Sequence, residues 1–175
     1  MKTFKEFLDE SSLTRIASKA KKGAVAIVSA ERSGKSKKEN KARSKQLEKR
    51  IRGSGLPGPT KVQGRYTEHG KEPKAERSFV VSQGKKSRKD FKKVITKLAT
   101  DKGLKQKRNY KGTDKDDQDS VLIQRKKSGG ATLKGTNKAP WPGKGKNVQT
   151  GKMKPGRTGE FDTKIKKKTF TYERN

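Results

Sequence analysis

Cysteine is absent from the 175 residues, which excludes disulfides and thiolate metal sites. The single histidine, His69, leaves no nitrogen-rich metal cluster, and no metal or cofactor is expected. Long apolar runs are missing too. None approaches the roughly 18 residues of a membrane span, and the N-terminus has neither the apolar core nor the small-residue cleavage site of a secretory signal. A membrane partner and export by that route are not expected. Aromatic residues are only 6% of the chain, and hydrophobic residues are 25% against 38% charged. A large dry core is therefore excluded, and a small compact body with solvated loops is expected. Acidic residues are scarce as well, 18 against 49 lysines and arginines. Self-repulsion at a net charge of +31 costs stability unless a polyanion or packed counterions neutralise it, so a polyanionic partner is expected.

The first ten residues differ from all that follows. Thr3 and Glu6 form a capping box, and Phe4, Phe7 and Leu8 fall on one face of a short amphipathic helix. This segment carries −1 and the remaining 165 residues carry +32. The pattern Met1-Lys-Thr-Phe-Lys-Glu-Phe-Leu-Asp-Glu10 resembles the capsid-targeting peptide of head proteins in T4-like bacteriophages, departing from it at Phe4 and Lys5. The resemblance covers ten residues. It implies removal by the prohead protease after the triplet Leu8-Asp9-Glu10, with Leu8, Glu10 and Ser11 as the processing site, and contact with prohead scaffold or capsid proteins. The implied location is the virion interior, after the host cytoplasm.

Residues 11–22 form a basic helical spacer with Leu13, Ile16, Ala17 and Ala20 at helical spacing. Residues 23–174 read as one basic domain. Ala24-Val-Ala-Ile-Val28 is a continuous apolar run of strand length and the best candidate for a central strand. Ser36-Lys-Lys-Glu39 is a second capping box, opening a helix to about Arg52, where Gly53, Gly55, Pro57 and Pro59 stop it. Leu47 and Ile51 mark its inner face. Asn40 and Arg43 share that stripe, as candidates for a polar site or as stems covering the core edge. Strands are predicted over 61–68 and 77–82, the second built on Phe79, Val80 and Val81. Ser87 caps the clearest helix, with Phe91, Val94, Ile95, Leu98 and Ala99 on the apolar stripe. Residues 119–124 and 130–135 read as a hairpin. The Gly, Pro and Lys rich stretch 137–159 is predicted to be a long basic loop, and 160–172 a closing strand interrupted near Lys166-Lys-Lys168 by a bulge or tight turn. The fold class is α+β, a mostly antiparallel sheet with two main helices packed on it, and its first six elements match the split βαβ pattern.

From Ala24 onward the layout resembles small uncharacterised α+β domains of phage proteins, in Asn40-x-x-Arg43, Gly64-x-Tyr66-x-Glu68, Glu76-x-Ser78-Phe79 and Gln118-Asp-Ser-Val121. No established activity accompanies that resemblance.

Three constellations invite chemistry. Ser33-Gly34-Lys35-Ser36 between a strand and a helix suggests a phosphate loop, but the spacing needs glycine where Ser29 stands, and Glu31 would repel phosphate. That leaves at most a bare anion contact. Asp114, Asp116, Asp117 and Asp119 lack the glycine and closing glutamate of a calcium loop and are read as neutralising nearby lysines. Glu68, His69, Glu76 and Glu160 supply acid, base and ligand for a nuclease only if the fold brings them together, so no catalytic residue is assigned. The basic clusters are the strongest signal. Lys35, Lys37, Lys38, Arg43, Arg50, Lys85, Lys86, Lys89, Lys92, Lys144, Lys146, Lys152, Arg157, Lys166, Lys167 and Lys168 are assigned to phosphate contacts without base readout. The function expected from sequence is therefore a capsid-internal protein bound non-specifically to packaged double-stranded DNA, with no small-molecule substrate identified. A ribosome-like RNA-binding module and a small injected nuclease or hydrolase are the alternatives.

Overall fold

The computed structural model describes residues 16, 18–32, 34–66, 74–99, 120–124, 130–135, 148–155, 161–165 and 168–174. A helical segment through residue 22 leads into β1 (Val25–Ser29), α1 (Lys37–Gly53), β2 (Thr60–Tyr66), β3 (Lys74–Ser82), α2 (Arg88–Ala99), β4 (Ser120–Gln124), β5 (Gly130–Gly135), β6 (Val148–Pro155), β7 (Phe161–Ile165) and β8 (Lys168–Arg174).

Local chemistry fixes both helices. At the start of α1 the Ser36 hydroxyl accepts from Glu39 N at 3.2 Å, while the Glu39 carboxylate accepts from Ser36 N at 2.9 Å. This is the capping box read from the sequence. Hydrogen bonding from Ser36 holds the exposed Glu39 carboxyl below the usual carboxylate range. The helix ends where Ser54 Oγ donates to Ile51 O at 2.6 Å, and Gly55 follows at φ 70°. Ser87 caps α2 by accepting from Asp90 N at 3.1 Å. The turn entering α2 needs Gly84 twice over: its φ is 61°, and a Cβ there would lie 2.7 Å from the Pro57 ring.

The sheet runs β4-β1-β3-β2 through the first six elements, with every pair antiparallel. That is the order of a split βαβ unit, as the sequence predicts. The remaining strands continue it as β2-β7-β8-β6-β5-β4, so the antiparallel sheet closes on itself. Among the described residues, then, the α+β class holds, with the sheet curled into a barrel. One expectation fails: β6 lies inside the stretch read as a loop over 137–159. Its sequence, Val-Gln-Thr-Gly-Lys-Met-Lys-Pro, has no apolar alternation, and its pairing with β5 and β8 supplies the backbone bonds that a strand requires. Two residues separate β7 from β8, which pair as a hairpin at the predicted interruption.

β1 is central because it is apolar on both faces. Ala24, Ala26 and Val28 join Phe79 and Val81 of β3 against Leu47 and Ile51 of α1 and Phe91, Ile95, Leu98 and Ala99 of α2. The alternate residues Val25 and Ile27 pack with Val62, Val80 and the helical residues Ile16 and Ala20. Each large side chain fully buried in the helix-side cluster contributes about 1.5–3 kcal/mol.

Candidate active site

Alternation along β1, β2 and β3 turns polar beyond the second cluster. Ser29 stands opposite Ser78, Val62 opposite Ser78 on its other side, and Gly64 opposite Glu76. Directly paired residues share a face, so these groups gather on the side of the sheet away from α1 and α2. Gly64 permits the gathering: a Cβ there would lie 2.5 Å from Ser78 Oγ and 3.4 Å from Glu76 Oε1. The Glu76 carboxyl therefore leans over Gly64. On the far side of Gly64, β7 places Thr163 directly opposite it. Thr163 is fully buried, and its hydroxyl has no hydrogen-bond partner among the described residues.

Glu76 carries the charge of this group. The residue is half-buried, and burial of its carboxyl pushes the pKa up from 4.5 to about 7. Arg32 and the Ser29 hydroxyl oppose that rise, Glu31 adds to it by like-charge repulsion, and Ser78 opposes it weakly. Ser78 Oγ is near enough to exert this pull without meeting the geometry of a hydrogen bond to any described residue.

The segment after β1 is held beside Glu76 by α1. Asn40 grips Arg32 at both ends, its Oδ1 accepting from Arg32 N at 2.9 Å and its Nδ2 donating to Arg32 O at 2.9 Å. Arg43 Nε donates to Ala30 O at 2.7 Å, and Ser44 Oγ donates to Glu31 Oε1 at 3.2 Å. Ser29 Oγ donates to Arg77 O at 3.0 Å and accepts from Glu31 N at 3.2 Å. Asn40 and Arg43, singled out from the stripe of α1, thus tie down the backbone that presents Glu31 and Arg32. The bare anion contact considered for the start of α1 meets an occupied cap, since Ser36 and Glu39 satisfy those amides reciprocally.

Of the four residues offered for a nuclease, Glu76 falls at this site, and Glu68, His69 and Glu160 lie outside the described residues. So do the four aspartates 114, 116, 117 and 119 and the processing residues Leu8, Glu10 and Ser11. Among the described residues no three histidine, aspartate or glutamate side chains group to hold a metal ion, and no helix is long and apolar enough to cross a membrane. The described residues assigned to phosphate contacts are not among the groups that bear on Glu76. Lys37, Lys38, Lys85 and Lys89 are exposed, and Lys35, Lys86 and Lys92 are partly so. Arg43 is spent on Ala30, and Arg50 donates to Lys97 O at 2.7 Å, joining α1 to the end of α2. Lys144, Lys146, Arg157, Lys166 and Lys167 lie outside the described residues, as do the side chains of the strand residues Lys152 and Lys168.

Sequence reading missed Ser29, Ser78 and Thr163 as site residues, because a hydroxyl on a strand carries no sign of which distant strand it will face. Gly64 was the available signal: a glycine inside a strand marks a bulge or a close approach.

A protonatable carboxyl tuned to neutrality, with two serine hydroxyls and one arginine bearing on it on the face of the sheet away from the helices, has the character of an enzyme's acid–base or cation-binding site. The comparison with known families agrees. The S-adenosylmethionine lyase family model matches residues 26–175, most of the chain, and the protein belongs to that family. No curated protein matches the chain significantly. The family match overturns the expectation of a capsid-internal, DNA-binding protein and points to an enzyme, whose matched region includes Ser29, Gly64, Glu76, Ser78 and Thr163. The DNA-binding half of that expectation came from treating net charge as a statement of function, whereas +31 governs solubility and long-range attraction and does not specify what a site does; the capsid half came from a resemblance confined to the first ten residues, outside the matched region.

Proposed function

We propose that the protein cleaves a carbon–sulfur bond of S-adenosylmethionine, with Glu76 as its principal ionisable group. The observation that carries this reading is the family match over residues 26–175; the chemistry of the Glu76 site supports it. The substrate is a sulfonium cation. When its carbon–sulfur bond breaks, the bonding pair leaves with sulfur as a neutral thioether, so the leaving group needs no proton. A lyase then completes the valence of the carbon fragment without adding water. The demands on the protein are a dry site, a negative complement to the cation and a group able to accept a proton where one is released. Glu76 meets the last two in its ionised form. Its raised proton affinity falls when a cation arrives, because an opposite charge favours the carboxylate. Arg32 offers a cation for the carboxylate end of the same substrate.

Incubation of the purified full chain with S-adenosylmethionine, followed by mass spectrometry of substrate and thioether product, tests the reading. Wild type should turn substrate over, with kcat/KM rising through an acid limb near the Glu76 pKa of about 7. Glu76→Gln should lower kcat/KM by about 10²-fold or more. No turnover by wild type between pH 6 and 9 would reject the activity, and full turnover by Glu76→Gln would reject the site.

A further inference from the structure

A buried hydroxyl without a partner is a cost that native folds rarely carry. Leaving such a group unsatisfied costs about 1–3 kcal/mol, and each instance calls for a reason in function or in an unseen ligand. Thr163 is completely buried with Oγ1 unpartnered among the described residues, and Ser78 is nearly so, in the same condition. Both lie beside one place in the sheet. Ser78 Oγ occupies the space next to Gly64 that a side chain would fill, and Thr163 pairs with Gly64 from β7.

Three strands therefore present Glu76, Gly64 and Thr163 in one row across the sheet. Backbones two strands apart are separated by about 10 Å, a gap that side chains from both ends must cross to meet. Gly64 adds no side chain of its own to the gap, where Ser78 Oγ lies 2.5 Å and the Glu76 Oε1 3.4 Å from the position of a Cβ on Gly64. The other groups bearing on Glu76 are Ser29 on β1, Glu31 and Arg32 just beyond it, and Ser78 on β3. None of them comes from β7.

Building on the function proposed above, we infer that Thr163 is a positioning residue, whose hydroxyl turns toward β3 across Gly64 and donates to the Glu76 carboxylate when that group ionises. The unpartnered hydroxyl is a donor held in reserve for the charged state. It fixes the carboxylate against the cationic substrate and offsets part of the penalty of ionising a buried acid, since a hydrogen bond to the charged form favours that form. Gly64 is the residue that makes the reach possible. The closed sheet is what brings β7 alongside β2.

The test is Thr163→Val, which keeps the shape of the side chain and removes the hydroxyl, with Thr163→Ser as the conservative variant. Two readouts are taken on the full chain: kcat/KM for S-adenosylmethionine against pH, and the carboxyl ¹³C resonance of Glu76, assigned by its loss in Glu76→Gln and titrated without substrate. Thr163→Val should lower kcat/KM about 10-fold, and both the acid limb and the NMR midpoint should move to higher pH. Well below pH 7, where Glu76 is protonated, its melting temperature should equal or exceed that of wild type, because an unsatisfied hydroxyl has been removed from a buried place. Thr163→Ser should stay within about twofold of wild type, as expected if the hydroxyl is the active part. An unchanged midpoint in Thr163→Val would overturn the inference, as would equal losses in the valine and serine variants. Should the valine protein fail to fold, Thr163→Ala removes the same hydroxyl without added bulk and is read the same way. If wild type shows no turnover, the proposed activity falls, and the substrate-free titration still decides whether Thr163 acts on Glu76.

Discussion

The two faces of β3 differ in kind, one apolar and one increasingly polar. Phe79 and Val81 point to the helices and are fully buried in the main core. Glu76, Ser78 and Val80 alternate with them on the opposite face, where one valine gives way to a serine and then to a carboxyl of nearly neutral pKa. A single strand thus serves cohesion on one side and chemistry on the other, with the backbone ladder shared between them. The helix side gains from every contact it makes. The opposite side keeps a buried acid and two unsatisfied hydroxyls, features that only a function repays.

The largest effect should come from the cohesive face. Phe79→Ala removes a completely buried ring and should cost about 3–5 kcal/mol in a denaturant titration. A loss below about 1 kcal/mol would mean that the helices do not carry the stability, and the contrast between the faces would disappear.

The polar face makes a smaller and pH-dependent difference. A carboxyl raised from 4.5 to about 7 holds its proton more tightly in the folded than in the unfolded chain. Between those two values the folded state binds more protons, so stability should fall as pH rises through the window and level off above it. The drop attributable to Glu76 is on the order of 3 kcal/mol. Thermal melts across pH 4 to 8 should show this slope in wild type and a flatter profile in Glu76→Gln. Equal profiles would place the Glu76 carboxyl in water and remove the chemical side of the comparison.

The smallest effect concerns neither face. Ser36→Ala breaks the capping box of α1 and should cost about 1 kcal/mol. The same helix start tethers Arg32 through Asn40, so a local loss should appear in stability before it appears at Glu76. A stability cost near zero would show that the box is redundant.

Much of the cohesive face was legible in the sequence. The apolar run at Ala24, the stripe Phe91, Ile95, Leu98 and the capping boxes are short-range patterns that local physics converts directly into elements. The split βαβ order followed from them. The chemical face was legible only in pieces. Gly64, Glu76 and Ser78 stood in plain view in the sequence, yet nothing in their spacing told that Gly64 would be flanked by Glu76 and Thr163. Strand register between distant segments is set by pairing in three dimensions. β6 was lost for the same reason: Lys, Gly and Thr residues become a strand because β5 and β8 flank them. The abundance of lysine also drew the functional reading toward the surface, when the informative groups were a few half-hidden ones.

Closure of the sheet has a consequence for the order of events as the chain folds. The helix-covered core is drawn from residues between Ala24 and Ala99, but the pairing of Gly64 with Thr163 brings together residues roughly a hundred positions apart, and contacts of such long range form slowly. β7 can complete the row only after β2 has taken its place beside β3. The helix-covered core can therefore be present in a molecule that is still inert, and the capacity to act arrives with the last seam of the barrel.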